Sequence, residues 1–240
     1  MISEIYKNND GTFIVFPNDA IANHLKTIGT WEPHFKIVVD NFINEDDVVI
    51  DAGANFGYNS VIMGKKIGSD GTLISFEPQR IIYQQMCGNL ILNNIYNGHP
   101  INAAVGQEES TANLVPVYYE AGWVNIGDTS IGDGGEEIRV CKIDDIIDTR
   151  VNFIKIDVQG FELDALKGAK NILTNYQPDI FIEVEPHQLA KFNTTDEDLF
   201  NYIKSFGYDI YKINNDYPCD HICTTKDVSH LTEILKLVKI

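Results

Sequence analysis

Four acidic residues stand at or near the ends of short apolar runs. Asp51 follows Val48-Val49-Ile50, Glu77 follows TLISF (72–76), Asp157 follows VNFIKI (151–156), and Glu183 lies in DIFIEV (179–184). Such runs read as buried strands. A strand that ends in a carboxylate delivers it to the rim of a sheet, where α/β proteins bind ligands. One acid there would say little, because helix N-termini favour acids through capping and the macrodipole. Four on one rim favour a site. The chemistry open to that rim is hydrogen bonding to hydroxyls, general base catalysis and the binding of a hard cation.

The first of these strands runs into DAGANFG, residues 51–57. Gly53 and Gly57 permit tight turning and close approach of a ligand to the backbone, and Asn55 tolerates positive φ better than most residues. A dinucleotide fingerprint beginning at Gly53 needs glycine at 55 and 58, and the chain has Asn55 and Tyr58 there, so the NAD pattern fails twice. Glu77 follows Gly57 by twenty residues. A carboxylate at that strand end accepts both hydroxyl hydrogens of a ribose, a task shared by several nucleoside cofactors.

The elements that carry these residues alternate between strand and helix. Tyr58, Val61 and Ile62 share one helical face, as do Ile82, Met86 and Leu90. A third strand is expected around 100–105. Leu163, Leu166, Ala169 and Leu173 mark one helix after Asp157, and Thr194 with Glu197 resembles a capping box that opens another. Residues 208–213 and 221–225 form a closing strand pair. The expected fold is α/β, doubly wound around a mostly parallel sheet covered on both faces. No linker divides the sequence, so residues 1–240 are expected to form one domain, with 1–45 an N-terminal helical cover and 106–145 an inserted region of short strands.

Composition narrows the partners. The 44% hydrophobic and 22% charged residues suit a water-soluble globular protein. No apolar run approaches the about 20 residues of a membrane helix, and MISEIYKNND lacks the pattern of a secretory signal. The expected location is the cytoplasm, away from membranes. Thirty-five acids against eighteen Lys and Arg leave a net charge of −17, which argues against a grip on nucleic acid. Cys87, Cys141, Cys219 and Cys223 are scattered and read as reduced thiols.

DAGANFGYNS (51–60), SFEP (75–78) and IKIDVQGFELDALKGA (154–169), in that order, resemble the FkbM family of S-adenosylmethionine-dependent methyltransferases, and the similarity extends from TWEPHF near Glu32 to Glu183 and beyond. The resemblance implies a seven-stranded, Rossmann-like class I methyltransferase fold and methyl transfer to a hydroxyl, often of a sugar. It implies that Asp51, Gly53, Asn55, Gly57 and Glu77 hold S-adenosylmethionine. One step departs from the family: its usual Asp-Val-Glu-Gly is Asp157-Val158-Gln159-Gly160 here, an amide that keeps size and hydrogen-bonding capacity.

A sugar hydroxyl is nearly as weak an acid as water, whose pKa is about 15.7, so the acceptor needs a base or a metal. Asp157 is the first candidate, with Glu183, Glu185 and His187 completing either a base pair or a site for Mg²⁺ or Mn²⁺. Phe56 and Tyr58 are candidates to face the cationic donor, Lys155 either pairs with an acid or snorkels past the sheet, Glu162 is a first-turn helix acid, and Asp144 and Asp145 orient or cap a short helix. Trp31, Tyr118, Tyr119 and Trp123 with the acids suit a small-molecule or glycan acceptor. Two other readings stand beside this one: an NAD(P)-dependent oxidoreductase or epimerase, and a non-catalytic binding module on the same fold.

Overall fold

A computed structural model describes residues 3–117, 126–127, 129–214 and 219–240. In chain order the strands and helices begin with β1 (Glu4–Lys7), β2 (Thr12–Val15), α1 (Ala20–Ile28) and α2 (Pro33–Phe42). The first half of the sheet follows as β3 (Val48–Ala52), α3 (Tyr58–Ile67), β4 (Thr72–Phe76), α4 (Arg80–Leu92) and β5 (Gly98–Ile101). Next come β6 (Ala104–Val105), β7 (Ser110–Asn113), β8 (Glu137–Cys141) and α5 (Ile143–Ile146). The second half is β9 (Phe153–Ile156), α6 (Glu162–Gly168), α7 (Lys170–Tyr176), β10 (Asp179–Glu183), α8 (Pro186–Leu189), α9 (Asp196–Lys204), β11 (Asp209–Ile213), β12 (Asp220–Thr224) and β13 (Leu237–Lys239).

The central sheet has the order β13-β11-β12-β10-β9-β3-β4-β5. Strands β5, β4, β3, β9 and β10 are parallel neighbours, and β12 pairs antiparallel with both β10 and β11. The expected seven strands are therefore present, and β13 adds an eighth at the edge of β11. From β3 the chain winds outward through β4 to β5, then returns to wind the other way through β9 and β10. The switch point lies between β3 and β9, and ligands bind such a sheet outside the strand ends there.

Alternation along each strand builds two cores. Val49, Leu73, Phe153 and Phe181 face one side with Phe35, Val61 and Met86 of the covering helices. Ile50, Ile74, Ile154 and Ile182 face the other with Leu166, Leu173 and Leu199. No helix among the described residues is long and apolar enough to cross a membrane. None of the four cysteines forms a disulfide among the described residues.

Several local expectations are corrected. The N-terminal cover opens with an antiparallel hairpin, β1–β2, before its helices. Asn8 Oδ1 accepts the N–H groups of Asp10 and Gly11 at 3.0 Å to fix the turn, and Phe13 and Val15 point into the core. The single strand expected at 100–105 is two, β5 in the central sheet and β6 beside β8 in a three-stranded sheet with β7. Asn102 sits at the break and donates to the carbonyls of Glu77 and Pro78, both at 2.9 Å. The helix after Asp157 divides at Ala169, and Asp144 caps its second half by accepting the N–H groups of Asn171 and Ile172 at 2.8 and 3.2 Å. The capping box is Thr195 with Asp198, not Thr194 with Glu197. Thr194 is buried, so the next hydroxyl serves as the cap. Thr195→Ala is expected to cost about 1 kcal/mol, with Glu197→Ala within about 0.5 kcal/mol of wild type. Denaturant unfolding of the two variants checks the assignment.

Candidate active site

The turn after β3 holds three residues in left-handed conformation, Gly53 at φ 79°, Asn55 at 52° and Gly57 at 85°. The N–H groups of Gly53 and Ala54 both donate to the Phe76 carbonyl, at 3.0 and 2.9 Å. A Cβ on Gly53 would lie 1.8 Å from the Asp157 carbonyl oxygen, so only glycine fits. The turn from β3 thus rests directly on the segment leaving β9. Glu77, buried at the end of β4, accepts the N–H of Asn55 through Oε2 and that of Gln79 through Oε1, both at 2.9 Å. Burial pushes its pKa up to about 7, although both amides pull it down. Each oxygen keeps a second lone pair for a hydroxyl donor.

A row of acids crosses the strand ends beside this turn, with one ammonium beneath. Lys155 on β9 is 3% exposed and lies 3.3 Å from Asp157 Oδ2 and 3.7 Å from Asp51 Oδ1. Burial opposes its charge, but Asp157, then Asp51, Glu32 and Glu183 outweigh burial and hold its pKa above the ordinary lysine value. Burial likewise works to raise the pKa of Asp157, and Lys155 with the hydrogen bond from Glu183 brings it below the usual carboxylate range. Glu183 is driven far upward by burial and by Asp157. The two carboxyl groups are thus pushed in opposite directions, Asp157 downward and Glu183 upward. Gln159, itself at φ 54°, donates through Nε2 to Asp157 at 3.1 Å and to Glu183 at 3.3 Å. A glutamate there would set a third carboxyl against the other two, so the amide suits this row.

Two cavities meet at the row. The narrower one runs between Gly53, Glu77, Gln79 and the apolar side chains of Ile82, Val105 and Phe161. The larger, about 580 Å³, lies under α1 and is bordered by Trp31, Glu32, His34, Glu183, Glu185 and Asp220. Asn55, Gly127, Asp157 and Gln159 belong to both walls. Asp19, the N-cap of α1, also accepts the Ile126 N–H at 3.1 Å and fastens the 126–127 segment over the junction.

The expected residues divide accordingly. Gly53, Asn55 and Glu77 line the narrow cleft, Asp157 lines both cavities, and Glu183 and His187 line the larger. Asp51 and Gly57 line neither: Asp51 is fully buried under the site, accepting from Ser60 Oγ at 2.6 Å, and Gly57 packs on Met86. The His187 side chain is 68% exposed, 3.5 Å from Glu185. No group of three or more His, Cys, Asp or Glu among the described residues is placed to hold a metal ion, so the Mg²⁺ or Mn²⁺ alternative finds no site there. Lys155 pairs rather than snorkels. Glu162 accepts the N–H groups of Val158 and Gly160 at 3.2 and 2.9 Å, fixing the turn after β9. Trp31 borders the larger cavity; Tyr118, Tyr119 and Trp123 lie outside the described residues. Sequence reasoning missed His34 and Asp220, which meet at 2.6 Å across 186 positions. Pro33 at the start of α2 signals a helix there, but nothing in the linear pattern joins its first turn to β12.

A family model described as the Methyltransferase FkbM domain matches residues 51–210. "Methyltransferase 1" of Beauveria bassiana is 22% identical over 196 residues, 70% of this chain and 76% of that protein. "Hexuronic acid methyltransferase AglP" of Haloferax volcanii is 27% identical over 149 residues, 60% of this chain and 57% of that protein. The crystal structure of Methyltransferase FkbM from Methylobacillus flagellatus KT superposes with a TM-score of 0.53 at 25% identity, over 75% of this chain and 43% of that one. The chain therefore spans just over half of the Haloferax protein and less than half of the Methylobacillus chain.

Glu77 fastens the β3 turn as well as facing the cleft, so its removal is expected to act twice. Glu77→Ala should weaken binding of S-adenosylhomocysteine by about 1.5–3 kcal/mol, the range for hydrogen bonds to a charged group, and lower stability by about 1–3 kcal/mol through orphaned N–H groups. Wild-type affinity should fall as pH drops below about 7, because a protonated Glu77 loses acceptor capacity. Calorimetry across pH and denaturant unfolding measure these effects.

Proposed function

The chain belongs to the FkbM family of S-adenosylmethionine-dependent methyltransferases, and from that premise we propose that it moves a methyl group to a hydroxyl of a carbohydrate. The observation that carries this reading is the junction of two cavities at Asn55, Gly127, Asp157 and Gln159, one suited to a nucleoside and the other to a polyol. The narrow cleft fits the donor's nucleoside: Glu77 has lone pairs for ribose hydroxyls, and Ile82, Val105 and Phe161 offer apolar faces to a base. Gly53 and Asn55 let the backbone come close. When bound, S-adenosylmethionine supplies a methyl on cationic sulfur, which needs little activation.

The larger cavity has the size of a small-molecule site. Glu32, Glu183, Glu185 and Asp220 accept hydroxyl hydrogens there, and the partly buried ring of Trp31, held edge-on by His24 at 5.0 Å, can cover an apolar sugar face. No Lys or Arg borders this cavity among the described residues, and the sequence has none at 118–125, 128 or 215–218. That counts against a polyanion such as nucleic acid. The printed activity of the Haloferax relative, on a hexuronic acid, supports a carbohydrate. Asp157, ionised and facing both cavities, is the group that orients the acceptor hydroxyl toward the methyl.

Three outcomes are expected. S-adenosylhomocysteine should bind in calorimetry and NAD should not; tight NAD binding without a response to S-adenosylhomocysteine would overturn the donor. Labelled methyl from S-adenosylmethionine, offered to monosaccharides, glycans, RNA and protein extract, should enter a carbohydrate, and label only in RNA or protein would refute that acceptor. Asp157→Asn should lower turnover by about 10²–10³, as for loss of one preorganised charge at a reacting centre.

A further inference from the structure

Transfer to a hydroxyl requires somewhere for its proton to go, and the expected residues provide it poorly. Asp157 already accepts from Lys155, Gln159 and Glu183, which hold it as a stable anion and so a weak base. Burial and then the Asp157 carboxyl push Glu183 upward, toward its neutral form. His187 projects into solvent.

His34 differs on each count. It stands in the first turn of α2 on the wall of the larger cavity, its side chain 15% exposed. Its Nε2 lies 2.6 Å from Asp220 Oδ2, and Asp220 is 3% exposed at the start of β12, opposite Glu183 in the β10–β12 ladder. The Phe181 ring supports the imidazole at 6.1 Å with a 31° tilt. With Nε2–H donated to Asp220, the imidazole is held in the tautomer that leaves a lone pair on Nδ1, and Nδ1 has no hydrogen-bond partner among the described residues. We propose that His34, held by Asp220, is the base that takes the proton of the acceptor hydroxyl. The proposal rests on the methyltransferase reading above and adds its missing proton acceptor.

The step balances. Nδ1 of His34 takes the hydroxyl proton as the acceptor oxygen bonds to the methyl carbon, and the carbon–sulfur bond breaks with its electron pair left on sulfur. The positive charge lost from sulfur reappears on the imidazolium, beside the Asp220 carboxylate. His34 is the catalytic residue and Asp220 the positioning residue. Asp220 from β12 and Glu32 before α2 act on its titration, Asp157 with Lys155 from β9 act on Asp220, and Glu183 from β10 lines the same cavity. Glu185, His187 and His24 face the same cavity. Burial lowers the pKa of His34, and Asp220 followed by Glu32 reverses this, leaving it above the ordinary histidine value. Turnover should therefore rise with pH through an ionisation above that value.

Two measurements test the assignment. In the protein alone, ¹⁵N-histidine NMR across pH, with His34→Gln to identify the signal, should show His34 as the Nε2–H tautomer titrating above the ordinary histidine pKa. Asp220→Asn should shift that titration down. In the labelled-methyl assay over the same carbohydrate panel, His34→Gln should cut incorporation by about 10²–10⁴ and lose the rise of turnover with pH, with S-adenosylhomocysteine affinity as in wild type. A His34→Gln variant that labels the panel as wild type does, or a His34 resonance indifferent to Asp220→Asn, overturns the inference and leaves methyl transfer standing. A wild-type protein that neither binds S-adenosylhomocysteine nor labels any acceptor overturns both together.

Discussion

The site is organised around one buried cation. Lys155 sits in the middle of the sheet, on the strand where the winding reverses, and its ammonium is shared between Asp51 on β3 and Asp157 after β9. Removing one partner of such a pair leaves an uncompensated buried charge at a cost of about 3–5 kcal/mol. The two strands that frame the switch point are therefore tied together by charge as well as by their ladder. The same cation bears on the acids above it: against burial it holds Asp157 low, and Glu183 is pushed upward by burial and then by the Asp157 carboxyl.

How far the sequence discloses this arrangement depends on the range of the contact. DAGANFG, the strand-end acids and the helical spacing of Ile82, Met86 and Leu90 all act within one element, so the doubly wound order and the turn after β3 are legible. Lys155 alone in an apolar strand is legible as an anomaly, but its partners become visible only once β3 and β9 are adjacent. The cap on α9 slips by one residue because burial of Thr194 is a tertiary fact. Asp51 and Gly57 fit the motif and yet line neither cavity: Asp51 lies within β3 with its carboxylate taken up by Ser60 and Lys155, and Gly57 stands at the start of α3 against Met86. The His34–Asp220 contact joins opposite ends of the chain, and no local period encodes it.

The two chambers differ in how they are made. The narrow cleft is built from turns at strand ends, with backbone groups fixed by short-range hydrogen bonds. The larger cavity takes its floor from the sheet and its roof from α1 and α2, elements outside the central winding. A division of this kind lets the cover vary in side chains while the turn after β3 stays constant, as expected where one fold serves many ligands. The acids on the floor give hydroxyl-rich ligands many acceptors, and Gln159 supplies donors among them.

The contact at Gly53 has a mechanical meaning. With no side chain between them, the α-carbon of the turn after β3 and the carbonyl of Asp157 touch, so neither loop can shift without pushing the other. The turn after β3 and Asp157 form a single block, while α1 reaches that block through its capping residue Asp19 and the segment at Ile126. Warming should then loosen the roof before it misaligns the block. Such an enzyme would lose its grip on the acceptor, seen as a rising KM, at temperatures where kcat still climbs.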